Sequence, residues 1–290
     1  MYDPELGMDK IHAAILRILA GLRYAFEWIP YSKLKERITY PESEIKKRLR
    51  ELNKAKAIQM SYNPVLKEWT FKITQKGLDL IALWDLKRND VIKQLGTMIG
   101  EGKEALIYSA LTPDDEWVII KFHRYYGHEF TKIKKSLAYI VIKWRIKELK
   151  IEEYKIDIPR AKAQIEHYVL QRLSDRYPVP EPISWNRHVV VMKMIYDYPG
   201  IPAKDLRQVK LENPKEWLND ILETYNQIVE KEGIVHGDLA PDNILVKQDG
   251  TFYVIDWPQA VPKDFEGAEE LYKRDVQNIK EFFKKKYGVN

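Results

Sequence analysis

Apolar positions in the first third of the chain recur at helical spacing. Ile11, Ile15, Ile18 and Leu22 predict an amphipathic helix over roughly residues 8–26. Ser32 is placed to cap a short helix through Ile38. Pro41 suits the first turn of a third helix, with Glu42 and Glu44 near its positive end and Ile45, Leu49 and Leu52 as its apolar stripe. The period then changes. Residues 58–62 and 68–73 read as two short strands around a turn at Asn63-Pro64, and a further helix starts near Thr74, with Leu78, Ile81 and Leu86 inward. Three helices, a hairpin and a helix are the order of a winged helix. Its third helix, carrying Lys46, Lys47, Arg48 and Arg50, occupies the recognition position.

Residues 89–94 read as a linker, after which the apolar runs shorten. Met98-Ile99-Gly100-Glu101-Gly102-Lys103-Glu104 puts small residues between strand-like runs. That suits a hairpin turn whose backbone N–H groups can approach an anion closely. Gly-x-Gly alone is a weak signal, and the Walker spacing is missing. Trp117-Val118-Ile119-Ile120-Lys121-Phe122 is a strand closing on a lysine. Ile165, Val169 and Leu173 mark the packing side of a helix over 161–173 that carries Glu166. Residues 189–195 form a buried strand, and Trp217, Ile221, Leu222, Tyr225 and Ile228 form a helix. Residues 268–286 read as one or two more helices.

Composition narrows the class. With 290 residues, 45% of them hydrophobic and 31% charged, about two domains with a sizeable core are expected. No run approaches the roughly 18 apolar residues of a membrane span. The start, Met-Tyr-Asp-Pro-Glu-Leu, lacks the basic and apolar regions of a signal peptide, so a cytoplasmic protein with no membrane partner is expected. Zero cysteines exclude disulfides and thiolate metal sites. A net charge of +5 biases the chain mildly towards acidic partners.

The chemistry concentrates in Ile234-Val235-His236-Gly237-Asp238-Leu239-Ala240-Pro241-Asp242-Asn243-Ile244-Leu245-Val246, followed by Val254-Ile255-Asp256. Two strands around a turn at Asp249-Gly250 would bring Asp238, Asn243 and Asp256 to one end of the pair. Two carboxylates and an amide oxygen are hard ligands that suit Mg²⁺, which prefers to share its site with phosphate.

His-Gly-Asp-Leu-x-x-x-Asn followed by Ile-Asp is similar to the protein-kinase catalytic loop and metal-binding motif. Gly237 stands where kinases carry Arg, and Trp257-Pro258 where they carry Phe-Gly; with both departures the chain resembles the RIO family of atypical kinases. That resemblance implies an α+β fold: a winged helix at 1–88, an N-terminal kinase-like lobe at 89–195 with a long insert at about 123–159, and a C-terminal lobe at 196–290. The insert, rich in lysine, is similar to a mobile loop that RIO proteins carry here; it is expected either to help gate nucleotide or hold RNA, or to be a helix with no direct role. It further implies that Gly100, Glu101, Gly102 and Lys103 cover the phosphates of ATP, and that Lys121, paired with Glu166, reaches the α and β phosphates. Met192 would border the adenine, with the Lys193 and Ile195 backbone on the purine edge. Asn243 and Asp256 would hold Mg²⁺, with Mn²⁺ as a substitute, and Asp238 would act as catalytic base. Family members are poor peptide kinases that hydrolyse ATP and form an acyl-phosphate on the metal-binding Asp, which makes Asp256 a second catalytic residue. No Ala-Pro-Glu element follows it. The implied function is a serine/threonine kinase or ATPase in small-ribosomal-subunit maturation, with that subunit or its rRNA as partner.

Two other readings share these motifs. An aminoglycoside-type small-molecule phosphotransferase uses a similar His-Gly-Asp loop, but the winged-helix pattern argues against it. A nucleic-acid-binding regulator that only senses nucleotide would not turn ATP over through Asp238.

Overall fold

The computed structural model describes residues 7–102, 104–124, 137, 139–145 and 157–289. Lys103 and most of the 123–159 insert expected to gate nucleotide or hold RNA lie outside the described residues. The chain is α+β and divides into two compact units, Met1–Asp90 and Val91–Asn290. Among the described residues no helix is long and apolar enough to cross a membrane.

The first unit runs α1 (Lys10–Leu22), β1 (Ile29–Pro30), α2 (Tyr31–Lys35), α3 (Glu42–Lys54), β2 (Ile58–Asn63), β3 (Glu68–Ile73) and α4 (Gln75–Arg88). The strands form an antiparallel sheet in the order β1-β3-β2. Asp9 caps α1 by accepting from the Ile11 and His12 amides. The buried face of α1 is Ile15, Leu16 and Leu19; Ile11, Ile18 and Leu22 pack only at its margin. Ser32 caps no helix. Its amide and hydroxyl instead donate to the Glu68 carboxylate, at 2.7 and 3.0 Å, tying α2 to β3. The stripe predicted for α3 holds, with Ile45, Leu49 and Leu52 buried. Its basic face is partly neutralised: Lys46 pairs with Glu42, and Arg48 with Asp9 and Glu44.

The second unit opens with β4 (Gln94–Glu101), β5 (Ala105–Leu111) and β6 (Trp117–His123), followed by α5 (Ile158–Leu173), β7 (Pro182–Asn186) and β8 (Val189–Lys193). These strands form one antiparallel sheet in the order β4-β5-β6-β8-β7. Central β6 is flanked on both sides, so its apolar run is buried. α5 lays Ile165, Val169 and Leu173 into the same core, and its packing towards β6 aims Glu166 at that strand.

Short strands follow: β9 (Tyr196–Tyr198), β10 (Ile201–Pro202) and β11 (Lys204–Asp205), then α6 (Pro214–Gln227). β12 (Ile234–Val235), β13 (Ile244–Val246), β14 (Phe252–Val254), β15 (Val261–Pro262) and α7 (Ala268–Tyr287) complete the chain. The register Ile244↔Val254 and Val246↔Phe252 places the turn at Asp249-Gly250. It also brings the residue before β13, Asn243, beside Ile255, whose amide donates to the Asn243 carbonyl at 2.9 Å.

Candidate active site

β-strand alternation puts Lys121 and His123 on one face of β6, opposite α5. Lys121 Nζ donates to Glu166 Oε1 and to Asp256 Oδ1, each at 2.6 Å. Burial alone would favour the neutral amine, but the Asp256 and Glu166 carboxylates outweigh it and keep Lys121 protonated. Glu166 is 1% exposed. Burial works against its charge, and Lys121 followed by His123 outweighs that and holds its carboxyl below the ordinary range. One lysine therefore links a strand, a helix and the loop after β14, across residues far apart in the chain.

Asp256 is 41% exposed at its side chain, so it faces open space beyond Lys121. It has φ +69°, the left-handed region that non-glycine residues rarely occupy. Such strain persists where the surroundings over-determine it. Here Ile255 is tied to Asn243, and the next amide, Trp257 N–H, reaches Glu166 Oε1 at 3.3 Å. Trp257 is a fully buried ring, its Nε1–H donating to the Val254 carbonyl at 3.0 Å.

Asn243 Nδ2 donates to the Asp238 carbonyl at 2.9 Å, which directs the amide oxygen the other way. Among the described residues no group of three or more His, Cys, Asp or Glu side chains is arranged for a metal. A hard-cation site at this position would rest instead on Asp256 and the Asn243 oxygen, a set with few protein ligands that would suit Mg²⁺ sharing its shell with water and phosphate.

Asp238 accepts from Gln259 Nε2 at 3.1 Å. Burial, and then the neighbouring Asp256 carboxylate, push its pKa up to about 6. His236 is fully buried, with Nε2 3.0 Å from the Ile255 carbonyl and Nδ1 3.2 Å from the Asp238 amide. The carbonyl can only accept and the amide can only donate, so the imidazole is the neutral Nε2–H tautomer. Both ring nitrogens are committed, which makes His236 a support of the loop rather than a base.

The loop hangs from α7. Asp275 is fully buried and accepts from Gly237 N–H at 2.8 Å, Leu239 N–H at 3.0 Å and Tyr225 Oη–H at 2.6 Å. Arg274 donates to the Gly237 carbonyl. Gly237 has φ +78°, and a Cβ there would lie 2.7 Å from the Gln259 carbonyl oxygen. Gly237→Ala is expected to cost about 1–3 kcal/mol from backbone strain, plus the displacement of Gln259. A denaturant melt checks this, and an unchanged midpoint would contradict it.

Gly100 and Glu101 end β4, and Gly102 N–H donates to the Ala105 carbonyl at 2.9 Å. Neither Gly100 nor Gly102 has a positive φ, and an added Cβ would meet only ordinary contacts. Their lack of side chains therefore leaves open backbone rather than relieving a clash. Met192 is buried in the core beside Ile119 and Val190. Lys193 N–H donates to the Glu181 carbonyl and the Ile195 carbonyl accepts from Ala203, both at 2.8 Å. These bonds engage the Lys193 N–H and the Ile195 carbonyl. A separate cavity of about 1070 Å³ lies around Tyr198, Trp217 and Phe252, and contains none of these residues.

Motif reading missed Asp275, Arg274, Gln259 and His123. Gln259 closes the motif that begins at Val254, but a glutamine there signals no role by itself; the others lie outside the local motifs, where an acid within an amphipathic helix or a histidine at a strand end carries no distinguishing signal in one sequence.

The RIO domain model matches residues 106–290. The RIO-type serine/threonine-protein kinase Rio2 of Methanocaldococcus jannaschii is 31% identical over 264 residues, covering 89% of this chain and 91% of that protein. Serine/threonine-protein kinase rio2 of Dictyostelium discoideum is 31% identical over 219 residues, 75% of this chain but 40% of that longer protein. In structure, the chain resembles the Rio2 kinase–ADP/Mg²⁺–phosphoaspartate complex from Chaetomium thermophilum, with a TM-score of 0.78 at 24% identity over 98% of this chain and 83% of that one. The α+β architecture is thus the RIO kinase-like fold, and the chain belongs to the RIO family of serine/threonine-protein kinases, a phosphotransferase of Rio2 type.

Proposed function

We propose that this protein is an ATP–Mg²⁺-dependent RIO-type kinase or ATPase acting in small-ribosomal-subunit maturation. The observation that carries the reading is the meeting of Lys121 with both Glu166 and Asp256 at 2.6 Å, beside Asp238. A fixed ammonium, two acids and an amide oxygen around one opening are what phosphoryl transfer needs, because that reaction depends on positioning and charge neutralisation.

Lys121 holds the α and β phosphates, and the Gly100–Gly102 backbone with Glu101 and Lys103 covers them. The Lys193 carbonyl and Ile195 N–H suit the donor and acceptor of an adenine edge, with Met192 behind the ring. Asn243 and Asp256 would hold Mg²⁺, which when bound neutralises charge on the transferring phosphoryl group; Mn²⁺ would serve in its place. Asp238 takes the proton from the attacking hydroxyl or water, and Gln259 holds the other end of its carboxylate. By analogy with the phosphoaspartate in the Chaetomium complex, Asp256 also accepts the phosphoryl group as a nucleophile.

The helix–hairpin order of the first unit supports a winged helix. The α3 cations Lys47 and Arg50, which make no ion pair among the described residues, would meet an RNA backbone. Incubation with γ-labelled ATP and Mg²⁺, with and without small ribosomal subunits, tests the proposal. The expected result is a hydroxylamine-labile label on Asp256 and turnover that changes when subunits are added. Acid-stable phosphoserine as the sole product, with turnover indifferent to subunits, would overturn it.

A further inference from the structure

In the described pair between β6 and α5, the lysine is not the only residue holding the helix acid. His123, two residues along the same strand face, is 1% exposed, and its Nε2 lies 2.8 Å from Glu166 Oε2. The carboxylate oxygen can only accept, so the ring donates. Glu166 is therefore held from three directions: Lys121 and Trp257 N–H on Oε1, and His123 on Oε2.

The two strand contacts differ mechanically. A lysine stem has four rotatable carbons, so an ammonium–carboxylate pair alone tolerates rotation of the helix. An imidazole on a short, rigid arm does not. His123 is itself pinned, because its backbone N–H donates to the His188 carbonyl at 2.8 Å and so ties it to the turn between β7 and β8. Burial lowers its pKa, which agrees with a neutral ring that adds no second cation beside Lys121. Two contacts two residues apart on one strand grip the two oxygens of one carboxylate. That arrangement fixes both the rotation of α5 and the direction in which Lys121 points.

We propose that His123 is a positioning residue of the phosphoryl-transfer site, locking the Glu166–Lys121 pair in place before nucleotide arrives. This rests on the reading of Lys121 as a phosphate ligand. The helix acid then has no withdrawn position to occupy, and nucleotide meets an ammonium already aimed.

A double-mutant cycle on nucleotide affinity tests the proposal, using titration of the full chain with a fluorescent ADP and Mg²⁺. His123→Leu is expected to weaken binding roughly tenfold, the order expected when a hydrogen bond to a charged group is lost. His123→Gln, which restores an N–H donor, should recover most of that loss. In a Lys121→Ala background the His123→Leu change should have little further effect, because His123 acts through the lysine. Thermal melts confirm that each variant is folded, and His123→Phe, which keeps a ring and removes the N–H, takes the place of His123→Leu if that variant does not fold. Wild-type affinity in His123→Leu, no recovery in His123→Gln, or an undiminished loss in the Lys121→Ala background would each overturn the positioning role. If Lys121→Ala alone binds nucleotide normally, the reading of the site fails, and this proposal fails with it.

Discussion

Asp238→Ala is expected to lower ATP turnover by about 10²–10⁴-fold, the usual contribution of a positioned proton acceptor, and to leave nucleotide affinity near that of the wild type. The separation follows from the geometry. The Asp238 carboxylate contacts Gln259, and its backbone meets the His236 and Asn243 side chains, whereas the groups assigned to the phosphates and purine lie on β4, β6, β8 and the segment after it. The pH profile provides a second readout. The Asp238 pKa is pushed up to about 6 by burial and by Asp256. A protonated carboxyl cannot accept a proton, so wild-type turnover is present above about 6 and declines as the pH falls through it. The residual turnover of Asp238→Ala should lack that limb. Equal turnover in variant and wild type would remove Asp238 from the reaction.

Lys121→Met is expected to be damaging twice over. It removes the ammonium that would meet the phosphates. It also leaves Glu166, 1% exposed, facing an apolar chain with only His123 and an amide to satisfy it. Removing one member of a buried ion pair typically destabilises by roughly 3–5 kcal/mol, because the remaining charge is uncompensated. Pairing the change with Glu166→Gln should return much of the stability without returning nucleotide binding, since a neutral amide has far less to lose by burial. Urea unfolding and nucleotide titration of the three proteins separate the two effects. A single variant as stable as the wild type would show that the lysine does not hold the fold together.

The parts of the site that lie close together in sequence were legible before the fold. His236 to Asn243 is a loop that leads into a strand, a turn and a second strand ending just before Ile255 and Asp256, and that spacing alone brings Asn243 beside Ile255. The Lys121–Glu166 pairing needed one further physical premise, that a buried ammonium requires an acid. Supports from distant elements were not legible. Asp275 looks like any acid on an exposed helix until α7 is packed under the loop, where it accepts from two loop amides. Ser32 carried a strong local capping signal, and a tertiary partner, Glu68, took its donors instead. The α1 stripe was misplaced because that helix is apolar around much of its circumference, so periodicity did not single out Leu16 and Leu19. For the expected hinge, Lys193 and Ile195, one sequence does not show which backbone groups the fold already engages: the Lys193 N–H with Glu181 and the Ile195 carbonyl with Ala203.

The most direct test of the account is the Mg²⁺ dependence of nucleotide affinity in the wild type and in Asp256→Asn. If Lys121, Asn243 and Asp256 surround one triphosphate, Mg²⁺ tightens ADP binding in the wild type. In Asp256→Asn that increment is lost, while metal-free binding through Lys121 persists. An increment of the same size in both proteins would mean that the metal, if it binds, does so away from Asp256, and the site described here would not be where phosphoryl transfer occurs.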